Sequence, residues 1–298
     1  MLAAIPFPDI SPEVFSFEIG GFGFALRWYA LAYILGFLLA WWTVAALMRR
    51  PAMWPGGAAP MQPADTEGLL TWIILGVILG GRLGFVLFYQ PTYFAANPLE
   101  ILYIWQGGMA FHGGLAGAAL AGLAFCRLHG VAALRLADAM ALATPAGLFL
   151  GRVANFINAE LWGAPTRMPW GVIFPGPAAE CPWEWVGVCA RHPTQLYEAG
   201  LEGLALGAVL FWMVWRRGAL LRPGLVTGVF LGGYGLARFV VEFWRVADPQ
   251  FISPENPAGH VLQLGAAGLS MGQLLSLPMV AVGLWLAWRA LRRPAPAT

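Results

Sequence analysis

The stretch best suited to chemistry is Gly151-Arg152-Val153-Ala154-Asn155-Phe156-Ile157-Asn158-Ala159-Glu160-Leu161-Trp162-Gly163, at the end of an apolar run from Leu136 to Phe149. An arginine at the centre of a membrane helix costs roughly 2.5–3.5 kcal/mol on insertion scales, and less near the interface. A lone arginine there could simply anchor the helix by reaching to water. Arg152 has company, however: Asn155 lies three residues on, so one helical face presents both. Gly151 and Gly163 bracket the group with backbone that can approach a ligand closely. A planar guanidinium beside amides suits a phosphate oxyanion, and the stretch is a candidate lipid-phosphate site.

Other costly residues accumulate elsewhere in apolar surroundings. They are Arg27 and Tyr29, Arg82 inside Gly80-Gly81-Arg82, His112, Glu198 with Glu202, and the series Tyr234, Arg238, Glu242 and Arg245. That series steps by four, four and three, so it forms one stripe on a helix. Each has a structural explanation taken alone. Arg238 and Glu242 could pair along their helix, His112 could be a satisfied core histidine, and Tyr29 could belong to an interfacial belt.

The elements that must position these residues are membrane helices. The chain has 298 residues, of which 59% are apolar and 11% charged, with 15 Trp. So much apolar surface in a chain of this size needs lipid as its solvent. At about 20 apolar residues per span, seven segments emerge: 24–48, 68–89, 109–127, 137–157, 194–215, 224–244 and 269–289. The basic residues, all Arg, split ten to seven between the two sides, with three acids on the richer side and twelve on the other. The positive-inside rule then puts the N-terminus outside and the C-terminus in the cytoplasm. On that topology the polar groups gather in the outer half while the inner halves stay apolar, as in a one-sided pocket rather than a channel.

The expected architecture is therefore an all-α polytopic membrane protein of one domain, residues 1–298. Residues 90–108, with Pro91 and Pro98, read as an interfacial arm, and residues 158–193, rich in Trp, Pro and Gly, as a small outer cap. Cys181 and Cys189 lie in that cap, in a compartment that permits disulfides, and are expected to pair. Cys126 reads as a buried thiol. Asp9, Glu13 and Glu18 argue against a cleaved signal at the N-terminus. The cysteine spacings fit no metal site, so neither metal nor cofactor is expected. A formal charge of +2 gives no reason to expect a nucleic-acid partner. The spacings Gly113-x-x-x-Gly117, Gly203-x-x-x-Gly207 and Gly224-x-x-x-Gly228-x-x-x-Gly232 predict close helix packing.

Taken together, the motifs resemble the prolipoprotein diacylglyceryl transferases of bacterial inner membranes. The resemblance rests on Gly80-Gly81-Arg82, on Gly107-Gly108-Met109-Ala110-Phe111-His112-Gly113-Gly114, and on the Gly151–Gly163 stretch. It extends to His192-Pro193-Thr194-Gln195-Leu196-Tyr197-Glu198, to Gly233-Tyr234-Gly235-Leu236-Ala237-Arg238-Phe239 with Glu242 and Arg245, and to Leu269-Ser270-Met271-Gly272-Gln273. The resemblance implies transfer of diacylglyceryl from phosphatidylglycerol to the lipobox cysteine of a prolipoprotein, with glycerol 1-phosphate released on the periplasmic side. It makes Arg152 the phosphatidylglycerol-binding arginine and Arg238 a second essential one. His112 and Tyr29 join them as expected catalytic residues. Arg82, Asn155, Asn158, Glu160, Gly163, Glu198, Tyr234, Glu242 and Arg245 are expected around the substrates, phosphatidylglycerol and the lipobox peptide, with membrane lipids as further partners. The Cys181–Cys189 segment matches no family motif.

The chemistry follows from the substrates. The nucleophile is the substrate's own thiol, with an ordinary pKa near 8.5, so only a modest shift or a nearby base is needed. His112 is the obvious base by pKa; Glu198 or the lipid phosphate are alternatives. The harder task is carrying negative charge on the departing phosphate, which suits Arg152 and Arg238, with Glu242 orienting Arg238 and Asn155 holding a second oxygen. A small-solute transporter would instead show inverted repeats and helices broken at the midplane. An intramembrane serine protease would need Ser270 or Ser276 in a nucleophile-like turn.

Overall fold

The computed structural model describes residues 4–20, 22–247, 249–264 and 267–292, so Arg293, counted among the inner arginines, lies outside the described residues. In chain order the helices are α1 (Trp28–Met48), α2 (Asp65–Phe88), α3 (Pro91–Ala96), α4 (Phe111–Leu128), α5 (Ala133–Ile157), α6 (Thr194–Glu198), α7 (Leu206–Arg217), α8 (Leu225–Val241) and α9 (Met271–Arg292). A π-helical segment, Ala199–Ala205, joins α6 to α7 without a break. Among the described residues, six helices are long and apolar enough to cross a membrane: Trp28–Met48, Asp65–Phe88, Ala133–Ile157, Thr194–Arg217, Leu225–Trp244 and Met271–Arg292. The segment expected at 109–127 is helical too, as α4.

The strands are short: β1 (Ile5–Pro6), β2 (Glu13–Ile19), β3 (Phe22–Arg27), β4 (Val172–Ile173), β5 (Leu262–Leu264) and β6 (Ala267–Leu269). The first span begins at Trp28 rather than 24 because β3 pairs antiparallel with β2 up to Arg27. The alternation Phe15, Phe17 on one side and Ser16, Glu18 on the other carries that hairpin, a period-two signal inside a chain otherwise read at helical spacing.

Two compact units make up the chain, one built on residues up to 40 together with those from 140 onward, the other on residues 41–139. In the second unit α2 and α4 pack glycine to glycine. A Cβ at Gly80 would strike Gly113 and Gly117, and one at Gly84 would come 2.8 Å from the Gly113 Cα. The arm is α3 followed by 3₁₀ turns at Pro98–Leu102 and Ile104–Gln106. Arg82, 5% exposed, grips it from α2. Its Nε donates to the Ile101 carbonyl at 2.8 Å, Nη1 to those of Gly107 and Gly108 at 2.6 and 3.3 Å, and Nη2 to that of Glu100.

In the first unit the other two predicted glycine spacings also mark helix contacts. Gly228 and Gly232 on α8 meet Gly283 on α9, and Gly203 and Gly207 abut Phe149 and Pro145 of α5. Gly224 instead caps α8 at φ 93°, where glycine avoids Cβ strain. Residues 158–193 form a compact layer around Val172, Phe174 and Ala179, packed against Phe7, Phe156 and Trp162. Arg191 ties that layer together, donating to the carbonyls of Ala179 (2.7 Å), Glu180 (2.6 Å) and Gly163 (3.2 Å) with its guanidinium 4.0 Å from the Trp162 ring centroid. Cys181 and Cys189 are disulfide-bonded. Cys126 is a free, buried thiol.

Candidate active site

Two carboxylates at the start of the fifth expected span organise the site. Glu198 closes α6 and Glu202 sits in the π-helical segment, both with side chains 0% exposed. Buried carboxylates in an apolar span require cationic partners. Glu198 has three. Its Oε2 lies 3.1 Å from Arg152 Nη1, its Oε1 pairs with Arg238 Nη1, and the same Oε1 is 3.3 Å from Arg245 Nη1. Glu202 Oε2 stands 3.5 Å from Arg152 Nη2, so the Arg152 fork spans both carboxylates. Glu242 Oε2 holds Arg238 Nη2 at 2.9 Å and Arg245 Nε at 3.6 Å.

The elements account for this convergence. Arg152 lies near the C-terminal end of α5. Arg238 projects from α8, which passes at Glu242–Trp244 into a 3₁₀ turn that brings Arg245 back to the same cluster. A Cβ at Gly272, in the first turn of α9, would come 2.5 Å from the Glu242 carboxyl carbon, so only glycine leaves room for that carboxylate. Ser270 and Gln273 cap this helix reciprocally, at 3.1 and 3.2 Å. The arginine side chains keep 19, 21 and 16% exposure for 152, 238 and 245 while the glutamates behind them are buried. The accessible faces of the cluster are thus guanidinium edges, fixed from behind by carboxylates.

Beside the cluster, α5 ends in a turn that presents Glu160. Ala159 and Leu161, on either side of it, have φ of 52° and 57°, left-handed values that non-glycine residues rarely adopt. Three contacts hold the turn: the Glu160 amide donates to the Asn155 carbonyl at 3.1 Å, Thr194 Oγ1 to that of Leu161 at 3.0 Å, and Gln195 Nε2 to that of Glu160. Asn155 is buried and its Nδ2 donates to Glu160 Oε1 at 2.8 Å.

Comparison with known proteins assigns the family. The model of the family described as prolipoprotein diacylglyceryl transferase matches residues 15–289. The chain belongs to the prolipoprotein diacylglyceryl transferase family. Similar relatives include a protein of Ruegeria pomeroyi, 63% identical over 296 residues, which cover 99% of this chain and 100% of that one. One from Roseobacter denitrificans is 59% identical over 290 residues, or 97% and 99% of the two chains. One from Rhizobium meliloti is 45% identical over 296 residues, or 99% and 98%. All three carry the name phosphatidylglycerol–prolipoprotein diacylglyceryl transferase.

Within this member of the family, the structure brings Arg152, Arg238, Glu198, Glu242 and Arg245 together as one network, and Asn155 and Glu160 as a second pair. Asn155 is bonded to Glu160 rather than poised beside Arg152 for a shared oxygen. Tyr234 is half-buried one turn before Arg238, its ring 6.1 Å from that of Phe230. Tyr29 is half-buried in the first turn of α1, its ring 5.1 Å from Tyr33. Asn158 follows α5, and its Oδ1 is buried with no hydrogen-bond partner. Gly163 does packing work: its amide donates to the His192 carbonyl at 2.8 Å, and a Cβ would collide with the Trp244 carbonyl and lie 2.7 Å from Thr194 Cγ2. Arg82 and His112 belong to the other unit, Arg82 committed to arm carbonyls and His112 exposed at the second residue of α4. The sequence reading left Glu202 out of the site. Its signal was available, since Glu198 and Glu202 stand one turn apart in an apolar span and two buried acids demand more than one cation.

Proposed function

We infer that this chain transfers the diacylglyceryl group of phosphatidylglycerol to the lipobox cysteine of prolipoproteins. The product is a thioether, glycerol 1-phosphate leaves, and the step is the first in bacterial lipoprotein maturation. The observation that carries the reading is the cluster of three guanidinium groups set on buried carboxylates, in a chain of this family. The protein sits in the bacterial inner membrane as one multi-pass domain, residues 1–298. It crosses seven times, with α4 as the third crossing, its N-terminus outside and its pocket and cap, residues 158–193, toward the periplasm.

In the reaction the substrate sulfur attacks C3 of the lipid glycerol. The S–C3 bond forms as the C3–O bond to phosphate breaks, and the thiol proton passes to a base. The bond pair leaves on the phosphate oxygen, where charge must be stabilised as it develops. Arg152 and Arg238, with Arg245 beside them, do this as donors already oriented by Glu198, Glu202 and Glu242, so little reorganisation accompanies the step. Both oxygens of Glu198 are taken by guanidinium groups, which disfavours it as the base. The departing phosphate then receives the proton. Tyr29, Tyr234, Asn158 and Glu160 complete the substrate-facing groups, with Asn155 holding Glu160 from behind.

The experiment is incubation of the purified protein with phosphatidylglycerol vesicles and a lipobox peptide, with mass analysis of the peptide. A mass increase of one diacylglyceryl group on cysteine, together with free glycerol 1-phosphate, is expected. An unmodified peptide, or one carrying a single acyl chain, would overturn the reading.

A further inference from the structure

Beside the Glu160 turn, and separate from the arginine cluster, opens a cavity of about 400 Å³ lined by Ser11, Pro12, Glu13, Arg27, Asn158 and Glu160. Two carboxylates face one guanidinium there, so a phosphate would meet net negative charge and is better placed on the arginine cluster. The charged groups are largely matched already. Arg27 Nη2 lies 3.8 Å from Glu13 Oε1, and Glu160 Oε1 accepts from Asn155 Nδ2. Asn158 is the exception, a neutral amide whose oxygen has no partner. Ser11 Oγ accepts from the Glu13 amide at 3.1 Å, which leaves its own proton to donate. A wall of this kind calls for a small neutral ligand that both donates and accepts, as hydroxyl groups do.

The cavity is wired to the phosphate cluster through one helix face. Arg152 and Asn155 share that face of α5, and Asn155 bonds directly to Glu160 in the cavity wall. In phosphatidylglycerol the terminal glycerol is esterified to the phosphate that Arg152 would hold. We propose that this cavity receives the terminal glycerol of the headgroup, its two free hydroxyls bonding to the Asn158 amide and the Glu13 and Glu160 carboxylates, with Ser11 and Arg27 donating in return. The cavity is thus the element that selects phosphatidylglycerol among anionic lipids. The proposal rests on the transferase reading above. It places discrimination where polar groups would be left without partners by a headgroup that lacks hydroxyls, the arrangement that rejects such analogues most strongly.

The test compares phosphatidylglycerol with the same lipid carrying a propanol headgroup, which has no free hydroxyl. The wild-type protein should prefer phosphatidylglycerol by roughly 30-fold in kcat/KM, the effect of about two ordinary hydrogen bonds. Asn158→Leu should cut that preference several-fold. Ser11→Ala, at an exposed position where folding is not at stake, should cut it in the same direction. Equal use of the two lipids by the wild-type protein, or an unchanged preference in both variants, overturns the proposal. So does a raised KM for the peptide with lipid preference intact, which would give the cavity to the acceptor. Failure of the wild-type protein to transfer from phosphatidylglycerol at all would instead refute the transferase reading, and this proposal with it.

Discussion

Replacing Arg152 by lysine separates positive charge from donor geometry. The Arg152 fork touches two carboxylates at once, Glu198 at 3.1 Å and Glu202 at 3.5 Å. A lysine ammonium is a single point on a flexible stem and cannot span both while also facing a phosphate. Glu198 would keep Arg238 and Arg245, but Glu202 has no other ion-pair partner among the described residues. Stranding a buried carboxylate in this way costs about 3–5 kcal/mol. The leaving-group role adds a kinetic loss on the order of 10²–10³ in rate. Arg152→Lys should therefore show both a lower melting temperature in detergent and a rate, at saturating phosphatidylglycerol, close to that of Arg152→Ala. Adding Glu202→Gln removes the stranded charge, so the double variant should regain stability without regaining rate. Wild-type turnover in Arg152→Lys would refute the leaving-group argument and reduce this arginine to an interfacial anchor.

Arg82→Ala strips the arm of donors to four backbone carbonyls, and limited proteolysis between residues 90 and 108 should accelerate; unchanged cleavage would mean that the arm is held by other contacts. Replacing Cys181 and Cys189 together by Ser removes a short cross-link that contributes about 2–3 kcal/mol locally in the chain-entropy model. Thioether formation should survive at low temperature, and complete loss in a folded variant would place the loop in the chemistry. Burial holds His192 below the ordinary histidine value of 6.5. The folded state then binds fewer protons than the unfolded one, so this contribution is complete above pH 6.5 and is lost as pH falls through the lowered value. The melting temperature should fall between pH 7 and pH 5 by less in His192→Gln than in the wild-type protein, and equal slopes would exclude His192.

Apolar run lengths located the six spans and α4 because lipid imposes length and composition on each helix separately. The stripe from Tyr234 to Glu242 was legible for the same reason, as an i to i+4 pattern, and the Arg238–Glu242 pair along it is present at 2.9 Å, whereas Arg245 lies past the helix in extended backbone after a 3₁₀ turn. Contacts across elements were not legible. Glu198 joins arginines 46, 40 and 47 residues away in sequence, and nothing in its local spacing names them. Asn155 shares a face with Arg152 as read, yet the strained turn after α5 carries Glu160 within reach and takes its amide. Arg82 looked like a ligand-binding charge inside a glycine-rich motif, but its partners are carbonyls of a loop whose path only folding reveals. The hairpin before α1 escaped a reading made at the helical period.

Three guanidinium groups and three carboxylates give the cluster no net formal charge. Seen from beyond a Debye length of about 8 Å at physiological ionic strength, such a site has almost no field with which to draw anionic lipid. With the phosphate on this cluster, as proposed, recognition is a short-range matter of fit, and capture of phosphatidylglycerol should be nearly indifferent to added salt. The same balance bears on turnover. The departing phosphate monoester carries more negative charge than the diester that entered, while the cluster holds no surplus of positive charge to retain it. On the proposed reading, the carboxylates that keep the arginines in place should also ease product dissociation.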